Sequence, residues 1–161
     1  MNWLQKEARG KEIFYLMIGC VCFNLTYCIF ATLVINLFQI KVETVTQGEQ
    51  TIKHLTSYFP VILILLAAIE EVFFRLPLAL FVALKSSITA IMIFALISSV
   101  IFGFLHGDVS NIFTQGVIGF SFCIMFLKCG GLQGRYFKAF MVTTATHALF
   151  NMVLCFLVLT T

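Results

Sequence analysis

The sequence predicts an all-α, polytopic bundle of about five membrane spans. Three observations lead there. The chain of 161 residues is 61% hydrophobic. Its mean hydropathy is +1.05. Only 11% of its residues are charged, against about 25% in an average soluble domain. A soluble domain of this length could not hide so much apolar surface, so the bilayer is the expected solvent.

A spanning helix needs about 17–25 predominantly apolar residues, and the runs can be placed in order. The first is residues 13–38. It follows a charged start, "MNWLQKEARGK", and is too long for the apolar core of a signal peptide, so it is expected as a retained span. The second covers about 58–84, the third about 87–106, the fourth 112–127 and the fifth about 140–159. The fourth is short, and a re-entrant segment in place of a span is the alternative. The connections are polar: a long one at 39–54 suited to a membrane surface, a tight turn "LKSS" (84–87), "GDVSN" (107–111), and the glycine-rich, basic "KCGGLQGRYFK" (128–138). Residues 1–57 read as an N-terminal segment with the first span and its connection, and 58–161 as the core of the bundle. With the N-terminus inside, Lys6, Arg9, Lys11, Lys85, Lys128, Arg135 and Lys138 collect on the inner side and only Lys41 and Lys53 outside. That bias predicts a cytoplasmic N-terminus and an odd number of spans.

Other classes are disfavoured. A net charge of +3 with no basic run interleaved with aromatics gives no basis for nucleic-acid binding. The cysteines at 20, 22, 28, 123, 129 and 155 form no C-x-x-C pair and read as small buried apolar residues.

Against this background "AAIEEVFFRLPLAL" (67–80) stands out, with Glu70, Glu71 and Arg75 in an apolar run. A charge at the centre of a spanning helix costs at least about 2.5–3.5 kcal/mol, so an ionisable residue there is functional by default. Glu71 and Arg75 are four apart and can pair on one face. Glu70 lies on a neighbouring face with no local partner. Pro77 removes a backbone donor and predicts a kink. His106 closes the third run. His147 and Asn151, four apart in the fifth, share a face; His54 falls in a polar connection. At about 1.5 Å rise per residue, Glu70 and His106 lie about 22 and 30 Å from the inner turn, and His147 and Asn151 about 17 and 23 Å from the start of the last helix. Helix tilt and side-chain length can close gaps of that size, so the four residues are able to converge in one layer. Gly103 and Gly107 bracket His106 in a G-x-x-x-G spacing that allows close helix approach.

These residues carry a resemblance. "EEVFFR" (70–75), "FGFLH" (102–106) and "HALFN" (147–151) resemble, in order, the E-E-x-x-x-R, F-x-x-x-H and H-x-x-x-N motifs of the CPBP intramembrane proteases, also called the CAAX-protease and bacteriocin-processing or Abi family. The resemblance covers about 58–160. Many relatives have glycine after the arginine, where Leu76 and Pro77 stand here. It implies an endopeptidase in which Glu70 activates water with His106, while His147 and Asn151 stabilise the oxyanion. Glu71 and Arg75 would orient the site and Phe102 would pack beside it. A carboxylate beside an imidazole suits general-base catalysis, and fixed donors in a dry cavity stabilise a developing oxyanion. The compact core implies the bacterial branch, with a peptide or membrane-protein substrate in a cell membrane and a role in peptide maturation or bacteriocin self-immunity. No cofactor is expected. The alternatives are a zinc site on Glu70, Glu71, His106 and His147, a non-enzymatic immunity or interaction protein, and, last, an ion carrier.

Overall fold

In the computed structural model, residues 3–37, 59–107 and 109–160 are described. They form helices and connecting turns, with no strand among them. A short 3₁₀ turn (Trp3–Gln5) precedes α1 (Lys11–Leu37). Next come α2 (Phe59–Ala83) and α3 (Ile88–Leu105), joined by a tight turn in which Lys85 takes a left-handed φ of 54°. A π-helical turn (Ile112–Gly116) opens α4 (Val117–Lys128), a 3₁₀ turn (Gly131–Gln133) comes after it, and α5 (Tyr136–Thr160) closes the fold. The expected polar connection at 39–54, with Lys41, Lys53 and His54, lies outside the described residues.

Among the described residues, five helices therefore stand where five apolar runs were expected. Among the described residues, four segments are long and apolar enough to cross a bilayer: Lys11–Leu37, Ile88–Leu105, Ile112–Gln133 and Tyr136–Leu157. The exception is α2. It has the length, at 25 residues, but carries Glu70, Glu71 and Arg75. The helix runs on through Pro77 without a break.

The borderline fourth run is the centre of the bundle. The π turn before α4 and the 3₁₀ turn after it extend the run to 22 residues. Phe122, Phe126, Ile118, Leu127 and Cys123 are fully buried. Towards one end they pack with Leu78 and Ala79 of α2, Ile91 and Ala95 of α3 and Ala139 of α5. Towards the other, Ile118 and Phe122 pack with Val21 of α1 and Phe150 of α5. A helix sheathed by its neighbours presents little of itself to lipid. By contrast α3 turns Ile93, Leu96, Ile97, Val100 and Phe104 outward, as a lipid-facing helix does.

The basic residues expected on one side do share one end. Lys128, buried at the end of α4, lies 4.3 Å from the Trp3 ring centroid and donates to the carbonyls of Trp3 and Lys6. Glu7, also buried, accepts from Lys138 at 2.7 Å and Arg135 at 3.3 Å. The hydrogen bond from Lys138 holds the Glu7 carboxyl below its usual range, outweighing the opposite pull of burial. Gln133 adds a bond to the Gln5 carbonyl. The segment before α1 is thereby clasped across the end of the bundle.

Candidate active site

The site is built around the Glu71–Arg75 pair. One helical turn separates them on α2. Arg75 Nε donates to Glu71 Oε2 at 2.7 Å and Nη2 to Oε1 at 3.2 Å, and both side chains are at most 2% exposed. Two parallel donors on one carboxylate are the strong form of this contact. The guanidinium is satisfied further by α4: Nη2 donates to the Gly119 carbonyl at 3.2 Å and Nη1 to Cys123 Sγ at 3.0 Å. Ser99 of α3 lies 3.7 Å from that sulfur and donates to the Ala95 carbonyl at 2.7 Å. Arg75 is thus tied to α2 and α4, with α3 supporting.

Glu71 also receives the ring of His147, whose Nδ1 is 3.0 Å from Oε1. A carboxylate already paired with Arg75 only accepts, so Nδ1 carries a proton and Nε2 faces the other way, 3.5 Å from Glu70 Oε2. The His147 ring is buried and stacks on Phe122 with centroids 4.5 Å apart. His106 closes the group from the end of α3. Its Nδ1 is 2.7 Å from the Phe102 carbonyl, which again can only accept, so the neutral ring presents the Nε2 lone pair outward. That Nε2 is 3.9 Å from Glu70 Oε1. Phe102, 2% exposed, lies against His106 at 4.3 Å and meets Phe74 edge-on at 4.9 Å.

Glu70, without a local partner in the sequence, therefore stands between two imidazoles from α3 and α5. Glu70 and His106 remain 31% exposed, unlike the sealed Glu71–Arg75 pair. Asn151 lies one turn beyond His147 on the same face of α5 and is partly buried; among the described residues it makes no hydrogen bond to the cluster. The structure gathers Glu70, Glu71, Arg75, Phe102, His106 and His147 in direct contact and leaves Asn151 beside them with its amide uncommitted. Cys123, Gly119 and Ser99 join the network with no sequence signal, because an apolar run gave no reason to expect a polar role for a cysteine.

A metal would have to compete with these bonds. Among the described residues, no three His, Cys, Asp or Glu side chains are placed to hold one. Both Glu71 oxygens are taken by Arg75, and Oε1 also by His147.

Residues 52–153 match the family described as type II CAAX prenyl endopeptidase Rce1-like. Comparison with curated proteins and with solved structures found no match. The match covers all three motifs and well over half of the chain. The chain belongs to the type II CAAX prenyl endopeptidase Rce1-like family and, at that general level, is an integral-membrane protease.

Proposed function

We propose that the chain is a glutamate-dependent intramembrane endopeptidase whose hydrolytic water is held between Glu70 and His106. The observation carrying this reading is the 3.9 Å separation of Glu70 Oε1 and His106 Nε2. It is too long for a direct hydrogen bond and suits one water bound to both. Glu70 removes a proton from that water, and the hydroxide attacks the carbonyl carbon of the peptide bond. The oxyanion takes hydrogen bonds from His147 Nε2–H and Asn151 Nδ2–H. As the intermediate collapses, the C–N bond breaks and the proton held by Glu70 passes to the departing nitrogen. Water is consumed, and one carboxyl and one amine terminus are formed.

The charge arrangement supports these roles. Glu71 and Arg75 neutralise each other. Glu71 holds the His147 ring through Nδ1–H, which turns Nε2 towards Glu70; the proposed donor role adds a proton at Nε2. Fixed donors in a water-poor site need no reorganisation when the oxyanion forms. No serine or cysteine nucleophile is required, and no step passes through a metal.

The substrate is a peptide or membrane protein entering from the bilayer. The family's prenyl-protein chemistry makes a prenylated CAAX peptide one probe, and an unmodified peptide the other. The compact core supports a bacterial cell membrane and a role in peptide maturation or bacteriocin self-immunity, and the bias of Lys and Arg to one side supports a cytoplasmic N-terminus. Cleavage of both probes in proteoliposomes by wild type and Glu70→Ala tests the proposal, with a chelator arm for metal dependence. Equal cleavage by both proteins removes it. A non-enzymatic immunity protein would protect cells unchanged with Glu70→Gln and His106→Ala.

A further inference from the structure

His106 sits where a helix normally frays. It is the residue after the last turn of α3, with φ −89° and ψ 9°, so its carbonyl has no intrahelical partner. Asn111 supplies one. Its Nδ2 donates to the His106 carbonyl at 3.2 Å. Asn111 is itself fixed, since Thr114 Oγ1 donates to its Oδ1 at 3.1 Å. Tyr27 of α1 steadies the same π turn by donating to the Phe113 carbonyl.

The two glycines around His106 fit this arrangement. A Cβ at Gly103 would fall 2.6 Å from the Asn111 carbonyl oxygen and 2.7 Å from Ile112 Cα. A Cβ at Gly107 would fall 2.5 Å from Asn111 Nδ2, and Gly107 has φ 144°, which disfavours any other residue. The G-x-x-x-G spacing read as a helix-packing motif therefore does something else at its second glycine: Gly107 lies beyond α3 and admits the Asn111 side chain. Glycine at both positions lets the chain fold back onto the end of α3 and reach the backbone of His106.

We propose that Asn111 is a positioning residue for His106, clamping its backbone so that Nε2 faces Glu70 with Nδ1–H on Phe102, and that Gly103 and Gly107 make room for the clamp. The proposal rests on the role of His106 as the partner of Glu70 in holding the water. It also makes α1, which lies outside the matched segment 52–153, a support of the site through Tyr27.

The test uses full-length protein in proteoliposomes with a fluorescence-quenched prenylated CAAX peptide. Asn111→Ala should lower kcat by about 10- to 100-fold, the scale of a catalytic group displaced by about an ångström, with KM within about twofold. The double variant Asn111→Ala/His106→Ala should be no slower than His106→Ala alone. A second readout needs no turnover: ¹⁵N spectra of histidine-labelled protein, which has three histidines. Wild-type His106 should show a fixed Nδ1–H tautomer, and Asn111→Ala a mixture. If Asn111→Ala does not fold, Thr114→Val releases the same amide and should lower kcat by about 2- to 12-fold, the effect of one neutral hydrogen bond. Unchanged kcat in the folded variant, or losses that multiply in the double variant, overturns the proposal, as does an unchanged His106 spectrum. The two readings fail separately. Glu70→Gln cleaving like wild type, with a changed spectrum in Asn111→Ala, sinks the mechanism and leaves the clamp. An inactive Glu70→Gln beside an unaffected Asn111→Ala sinks the clamp alone.

Discussion

Replacing Arg75 with methionine should destabilise the bundle more than any other single change in the site. The side chain makes four hydrogen bonds: two to Glu71, one to the Gly119 carbonyl and one to Cys123. Glu71 is 1% exposed, so water cannot replace the lost donors. Removing one partner of a buried ion pair costs about 3–5 kcal/mol, because the other charge stays buried and unpaired. In a chain of this length that corresponds to a fall in Tm of roughly 6–20 °C. Replacing both members with apolar residues leaves no orphaned charge and is often close to neutral. The double variant Glu71→Leu/Arg75→Met should therefore regain at least half of the lost stability. It should not regain cleavage, since His147 Nδ1 has lost its acceptor. Thermal unfolding in detergent, followed by circular dichroism, reads all three proteins. A single variant as stable as wild type, or a double variant no better than the single, would show that the pair does not hold the bundle.

The hydroxyl of Thr144 is buried with no partner among the described residues, whereas Thr143 and Thr146 donate to the Ala139 and Val142 carbonyls. Thr144→Val should raise Tm by roughly 2–12 °C by removing an unmet polar group worth about 1–3 kcal/mol; a lower Tm contradicts this. Cys123→Val leaves Arg75 Nη1 without an acceptor and should cost about 1–3 kcal/mol, while Cys123→Ser keeps the acceptor and should stay within about 1 kcal/mol of wild type in the same unfolding assay. Glu7 carries the pH prediction. Its carboxyl is held below the usual range, so its contribution is present above about pH 4.3, the unperturbed glutamate value, and is lost as pH falls further. Trp3 is the only tryptophan and lies over Lys128, so its fluorescence should change on acidification as the clasp opens, and Glu7→Gln should remove that change. An acid response identical in both proteins assigns it to another group.

The bundle was legible because its signal is local. Apolar runs and polar connections mark the helices to within a few residues, and the i, i+4 spacing of Glu71 and Arg75 is itself the geometry of their ion pair. The setting of Glu70 was not local. Its neighbours His106 and His147 come from α3 and α5, and the sequence placed them at similar depth without showing which side chains meet. The central position of α4 was hidden for a related reason: a run looks short for crossing lipid by itself, and the sequence cannot show that four other helices surround it. Cys123 carried no mark of its part in holding Arg75, because a buried thiol in "GFSFCIMF" reads like any small apolar residue. The glycines at 103 and 107 were visible as a pattern, but the partner that explains the second, Asn111, caps the start of the π turn, and nothing in "GDVSN" marked it for that part.

Single-turnover cleavage by Glu70→Gln, compared with wild type in matched proteoliposomes, bears most directly on the mechanism. Glutamine keeps the shape and cannot take the proton. Loss of the general base predicts a rate lower by about 10²- to 10⁴-fold, in a protein that still unfolds cooperatively in the thermal assay. A rate within a few-fold of wild type would mean that another group activates the water.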